Sequence, residues 1–318
     1  MIDLIGKKYY FFALSGLILL AGIIGYIVNG GMKMDIQFQG GTIIKIEMPN
    51  DQFDSAKAEE VVQNTINKRA TAQKSSTINA EKNGEKINML VLNIASEDTL
   101  NDAERSDVLT AIKKEFNLAE NVNVTVSSIA PFIGDEIKTN ALYAVFWASL
   151  LIIIYVWIRF QVMSGLSAGV MAVLALLHDV LIMIAVYAIF RIPLNDSFVA
   201  AVLTVIGYSM NDTIIIYDRI RENKNLLRKV PIGELVNKSV VQTLNRSINT
   251  VVTVLICIIT LFIFATFNNI TSVEEFTLPL IVGISSGMYS SIFIASSLYV
   301  LWKERDEKKK ISNKPAKA

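Results

Sequence analysis

The residues of this 318-residue chain that could do chemistry are ionisable groups set inside apolar runs. Asp212 lies in GYSMNDTIIIYDRIREN, positions 207–223, about four helical turns in from Phe198 at the α-helical rise. Tyr208 stands one turn before it, and Asn211 and Thr213 flank it. A carboxylate at that depth costs several kcal/mol in hydrocarbon, so it faces a partner or a water path. The blander alternatives are a hydrogen bond that glues neighbouring helices together, or, for an arginine near a helix end, snorkelling to the interface. Arg246 heads a second set. Gln242, Arg246, Asn249, Thr250 and Thr253 recur at spacings that put all five on one helical face, expected to look into a bundle.

Desolvation favours the neutral form of a membrane aspartate, and an approaching arginine favours the charged form. A change in the Asp212–Arg246 distance would therefore bind or release a proton. The membrane field supplies about 2.3 kcal/mol per charge per 100 mV, enough to drive such an element. Asp179, with His178 beside it about halfway along another apolar run, is a further candidate for proton coupling. His178 itself reads more simply as a packed, hydrogen-bonded residue. Gly165/Gly169 and Gly283/Gly287 have small-xxx-small spacing, with Ser286 and Ser290 beside the second pair, which predicts close helix contact.

These groups need a bundle to hold them. The chain is 52% hydrophobic and 19% charged, with mean hydropathy +0.44, so a membrane part and a watery part are expected. Six apolar runs can span: 9–28, 139–158, 166–190, 198–217, 244–267 and 278–302. The first reads as an uncleaved helix rather than a signal peptide, because no small-residue cleavage site follows it. Net charge is +1 overall, but residues 32–136 carry −6, while 218–246 and 303–318 carry +4 each. By the positive-inside rule both termini lie in the cytoplasm and 30–136 lies outside.

Within the outer part, 42–48, 76–80, 86–94 and 122–128 alternate as strands. Residues 55–70, capped by Asp54, and 106–116 read as helices, and Asn83-Gly84 marks a hairpin. The order β-α-β-β-α-β is that of a ferredoxin-like split βαβ unit. The fold expected is thus an α-helical polytopic membrane protein of six transmembrane helices with a small α+β domain between the first two. Its parts are 1–29, 30–136, 137–302 and a basic tail, 303–318. One cysteine and one histidine leave no zinc cluster, and no Gly-rich phosphate loop or catalytic constellation is present, so neither an enzyme nor a cofactor is expected. The basic tracts flank membrane runs and suit lipid headgroups or partners better than nucleic acid.

The chain resembles the SecD/SecF family of protein-export membrane proteins, in the resistance–nodulation–division superfamily. The resemblance is carried by QFQGGT (37–42), ALLHDVLIM (175–183), the 207–223 motif, SVVQTLNRSINT (239–250) and GMYSSIFIASSL (287–298). The SMNDT…YDRIREN wording and the short outer domain place it on the SecF side. Gln37 departs from the family habit, which has an aspartate there; Gly40 and Gly41 remain for the tight turn.

What the resemblance implies is a partnership with SecD in a pseudo-symmetric twelve-helix body, joined to the SecYEG channel, often with YajC and YidC. The proton-motive force then promotes preprotein export in the bacterial plasma membrane. The family's intramembrane aspartate and arginine match Asp212 and Arg246. The cytoplasmic-end motif, Asp218, Arg219, Arg221 and Glu222, has an interface or gating role as readily as a proton role. The coupling ion implied is H+, with a sodium-coupled variation left open. A lipid or drug antiporter of the same superfamily, or a passive scaffold, are the alternatives.

Overall fold

The computed structural model describes residues 3–50, 52–68, 70–79, 85–95, 100–129, 131–163, 165–227 and 229–312. A long helix α1 (Lys8–Val28) leads through a short α2 (Ile36–Gln39) into the strand-bearing segment. There follow β1 (Gly41–Met48), α3 (Ser55–Ile66), β2 (Ala70–Asn79), β3 (Glu85–Ala95), α4 (Asp102–Glu115) and β4 (Val124–Ile129). The rest is helical: α5 (Pro131–Arg159), α6 (Gly165–Phe190), α7 (Asp196–Leu226), α8 (Ile232–Phe267) and α9 (Thr271–Tyr289). The last runs through a π-helical turn (Ser290–Ala295) into α10 (Ser296–Ser312). Among the described residues six helices are long and apolar enough to cross a membrane, with α9, the π turn and α10 counting as one. The chain is a multi-pass membrane protein.

The sheet is antiparallel throughout, in the order β2-β3-β1-β4. Alternation gives it two unlike faces. Ile44, Ile46, Leu90, Leu92 and Ile94 are fully buried against Val62 of α3 and Val108 and Ile112 of α4. Each such side chain contributes about 1.5–3 kcal/mol by leaving water.

Local signals set the ends. Asp54 caps α3 by accepting from the Ala56 amide at 2.9 Å. That helix stops at Ile66, earlier than the expected 70, because Asn67 turns left-handed (φ 52°). β2 starts at Ala70 rather than 76, and α4 starts at Asp102 rather than 106. Asn101 and Glu104 form a reciprocal capping box there that outweighs the weaker apolar periodicity of the first turn. The expected Asn83-Gly84 turn lies outside the described residues.

The sheet layer is fastened to the helices at three places. The segment before α2 pairs with the α6–α7 turn: Asp35 donates its amide to the Leu194 carbonyl at 2.8 Å, and the Leu194 amide donates to Lys33 at 2.9 Å. Gly134, near the start of α5, packs against Phe38, whose carbonyl would lie 2.6 Å from any added Cβ. On the edge strand β2, the Ser76 amide donates to the Asn269 carbonyl at 3.0 Å, and its hydroxyl to Asn268, in the α8–α9 turn. Gly40 and Gly41 take positive φ at the turn into β1, as the double glycine predicts.

Candidate ion-coupling site

Three spans, α6, α7 and α9, meet at Asp179, and small residues allow it. A Cβ on Gly283 would lie 2.4 Å from Val205, and one on Gly287 would lie 2.8 Å from the Ser209 Cβ. The two glycines therefore let α9 approach α7 within reach of a common carboxylate. Ser209 of α7 donates to Asp179 Oδ2 at 2.9 Å. Ser286 of α9 donates to Oδ1 at 2.7 Å, and Ser290, the first residue of the π turn, donates to Oδ2 at 2.8 Å. Asp179 is 1% exposed. His178 brings Nδ1 to 3.4 Å of Oδ1, sets Nε2 3.0 Å from the Ser15 hydroxyl of α1, and stacks on Tyr289. The histidine is packed and bonded, as its lone position on an apolar run predicts.

The π turn has a local consequence. Its wider spacing brings consecutive residues Ser290 and Ser291 both inward, each fully buried. Ser291 donates to the Ser209 carbonyl at 3.2 Å and shares a 2.8 Å bond with the Thr213 hydroxyl. Ser209 and Ser291 were not singled out from sequence. Ser209 could have been found one turn before Asp212 on the same face, whereas nothing in the sequence marks a π turn.

Asp212 presents the opposite case. It is 1% exposed, yet neither carboxylate oxygen has a hydrogen-bond partner among the described residues. Its depth relative to Arg246 follows from neighbouring contacts. Asn223 of α7 donates to Ser239 of α8 at 2.8 Å, and the Tyr208 hydroxyl donates to the Thr250 carbonyl at 3.4 Å, so the helices run antiparallel. Four residues on from Tyr208 is Asp212, and four back from Thr250 is Arg246, so the two stand level. Among the described residues they do not form an ion pair within 4.0 Å.

The polar stripe on α8 differs from the expectation that it faces the bundle interior. Gln242, Arg246, Asn249 and Thr253 are exposed, as is Asn211 of α7, while Ser239, Thr243, Ser247 and Val251 form the buried side. The small and apolar positions are one residue round the helix, and they pack better against α7 and α9 than long polar chains do. The Thr250 and Thr253 hydroxyls donate to carbonyls of their own helix, at 2.8 and 3.0 Å. Gln242 turns away from Asp212. Its Oε1 accepts from Arg219 at 2.7 Å and from Asn223 at 2.8 Å.

Gln242 thereby joins the cluster at the end of the bundle away from the sheet. Asp218 pairs with Arg221 at 2.6 Å and with Arg159 of α5 at 3.3 Å, and Arg219 pairs with Glu222 at 2.6 Å. Arg159 and Arg221 both stand over the Phe160 ring. The motif residues 218–223 thus tie α5, α7 and α8 together rather than meeting Asp212. Among the described residues no group of three or more His, Cys, Asp and Glu is placed to hold a metal ion.

Comparison with known proteins adds the family. Residues 108–305 match the family described as protein export membrane protein SecD/SecF, C-terminal. Protein translocase subunit SecF of Alicyclobacillus acidocaldarius is 36% identical over 310 residues, covering 96% of this chain and 94% of that protein. SecF of Anaerolinea thermophila is 35% identical and covers both chains fully. Protein translocase subunit SecDF of Bacillus subtilis is 34% identical over 96% of this chain, which spans 39% of that longer protein. The crystal structure of SecDF from Thermus thermophilus, titled a translocon-associated membrane protein, matches with TM-score 0.76 at 29% identity. It covers 96% of this chain and 39% of that one. On this agreement of sequence and fold, the chain belongs to the SecD/SecF family of protein-export membrane proteins, transport components rather than enzymes.

Proposed function

We propose that the chain is the SecF-type subunit of a protein translocase, and that it couples proton movement through the membrane to preprotein export beside a SecD-type subunit. The observation that carries the reading is Asp212: a buried carboxylate with no hydrogen bond among the described residues, level with an arginine on an exposed helix face. A charge left so poorly served in hydrocarbon favours taking up a proton. An arginine drawn inward would favour giving it back. Thr213, bonded to Ser291 of the π turn, links the next position on α7 to α9. We read Asp179, held by three hydroxyls, as the fixed post of the coupling machinery rather than its moving charge.

The exposed stripe of Gln242, Arg246, Asn249 and Thr253, with Asn211, supports a partner subunit against α7 and α8. The fused SecDF relative and the SecDF structures make a SecD-type chain the fitting one. The SecYEG channel, with YajC and YidC, follows by resemblance. The all-antiparallel order β2-β3-β1-β4, with α3 and α4 on one face, supports reading 30–136 as a ferredoxin-like βαββαβ domain. Arg159, Arg219 and Arg221 lie at the end opposite the sheet. Lys8 of α1 meets Glu304 of α10 at 4.0 Å, which brings the start of the first span to the end of the last. That charge placement supports cytoplasmic termini, an extracytoplasmic sheet domain and residence in a bacterial plasma membrane.

The test is ion flux and preprotein export by the chain reconstituted with its SecD-type partner and the channel. Asp212→Asn is expected to abolish the export increment gained from a proton gradient while ATP-driven export continues. Arg246→Ala is expected to do the same. Full gradient-dependent export in Asp212→Asn would overturn the reading, and replacing the proton gradient by a sodium gradient identifies the coupling ion.

A further inference from the structure

The sheet has a second face that α3 and α4 do not cover. Cross-strand register sets its rows: Gln73, Val91 and Lys45 lie side by side, and Ser75 and Met89 form the row beside them. All are half-buried or exposed. This face overhangs the starts of α7 and α9 and encloses with them a cavity of about 440 Å³, within the size range of ligand clefts.

The two walls differ in character. The sheet wall mixes apolar Ile43, Met89 and Val91 with amide and hydroxyl groups of Gln73, Ser75 and Asn93. The helix starts supply Asp196 and Glu275 and the segment before α2 supplies Asp35, against Lys45 as the one lining cation among the described residues. Asp35 is close enough to Asp196 for their charges to interact. Burial holds the Asp35 carboxyl above its ordinary value and Asp196 adds to that, against the Ile36 amide and Lys33. A second cavity, of about 410 Å³, shares Asp196, Ser197 and Ser272 with the first and continues past apolar Ala200, Leu261 and Phe276.

We propose that this cleft receives an extended stretch of polypeptide carrying a basic side chain, with the cation toward Asp196 and Glu275 and the backbone along the open sheet face. Charge complementarity selects the cation. The sheet wall sets the amide and hydroxyl groups of Gln73, Ser75 and Asn93 beside apolar Ile43, Met89 and Val91, so it can meet both the backbone and the apolar side chains of an extended chain, whatever its sequence. Met89 is an adaptable contact of the kind that tolerates many partners. The proposal rests on the translocase reading and names the site where the exported chain would be held.

The experiment uses the assembled translocase in membranes with a secretory protein stalled in the channel, its emerged segment extended and bearing one lysine. A photo-crosslinker is placed at Met89, and in a control at Gln63 on the outer face of α3. Crosslinks to the stalled chain are expected from position 89 and not from 63. Asp196→Asn with Glu275→Gln is expected to lower the yield about threefold, the equivalent of one exposed ion pair. Changing the stalled lysine to glutamine should give the same drop, without adding to it. Lys45→Glu, at an exposed position, is expected to raise the yield.

Asp212→Asn separates the two readings. It should leave the crosslink in place while removing the response to the proton gradient. Crosslinks from position 89 only to lipid, or only to the SecD-type partner, would overturn the cleft assignment and leave proton coupling standing. So would equal yields from 89 and 63.

Discussion

Asp179 and Asp212 are both aspartates, both 1% exposed and both set among apolar spans, yet their surroundings are opposite. Three serine hydroxyls from two neighbouring spans point at Asp179, and both oxygens of Asp212 go without. The contrast teaches that burial alone does not mark a working charge. A carboxylate that collects donors from several helices is paired to hold them together, and removing it strands every donor. A carboxylate that collects none raises the energy of the folded state, and such a cost is tolerated where function uses it. The proposal therefore gives Asp179 the part of holding the helices together and places the moving proton on Asp212.

The comparison can be broken most sharply at Asp179. Asp179→Ala leaves Ser209, Ser286 and Ser290 with no shared acceptor, and is expected to cost on the order of 3 kcal/mol or more. Thermal unfolding in detergent would show it as a large fall in Tm. An unchanged Tm would mean that the cage is not holding the bundle. The same kind of change at Asp212 should have the opposite sign. Asp212→Leu removes an unsatisfied group and is expected to leave Tm level or raise it, by about 1–3 kcal/mol of stability, while gradient-driven export stops. A strongly destabilised Asp212→Leu would indicate a partner for that carboxylate and would erase the distinction.

A third probe tests what builds the cage. Gly287→Val places carbon where the Ser209 side chain lies, and overpacking of this kind costs about 1–3 kcal/mol. The variant is expected to be destabilised less than Asp179→Ala, and the two changes together should fall short of additive because they break the same junction.

The smallest effect lies in the sheet layer. The Lys68 ammonium and the Asn101 amide hold the Glu104 carboxyl below its usual value. A carboxyl lowered in the folded state stabilises above its unfolded value, and that contribution disappears as pH falls through the folded one. Glu104→Gln is therefore expected to flatten the acid limb of the sheet layer's stability by a few tenths of a kcal/mol, the scale of an exposed pair. A steeper limb in the variant would contradict this.

The bundle was legible because long apolar runs and the segregation of charge survive any detail of packing. The six spans, the strand and helix order of 41–129 and the depth of Asp212 all follow from patterns visible residue by residue. The facing of α8 was not. Arg246 and its polar neighbours look like an interior stripe when a helix is read alone. The small residues Thr243 and Ser247 mark the true inner face only once α7 and α9 are known to pack against it. The donors of Asp179 come from positions 30, 107 and 111 residues away, and their convergence depends on the glycine-lined approach of α9 and on the π turn. Local helical periodicity carries neither.

The outward stripe on α8 has a consequence for how the cell must handle this chain. A span that turns Arg246, Asn249 and Thr253 to hydrocarbon is expensive to leave uncovered. Copies made in excess of the companion subunit would sit in the bilayer as unfinished halves, prone to clumping and open to membrane proteases. Its steady-state abundance should therefore track the supply of that companion, falling when the companion is withdrawn and recovering when it is restored.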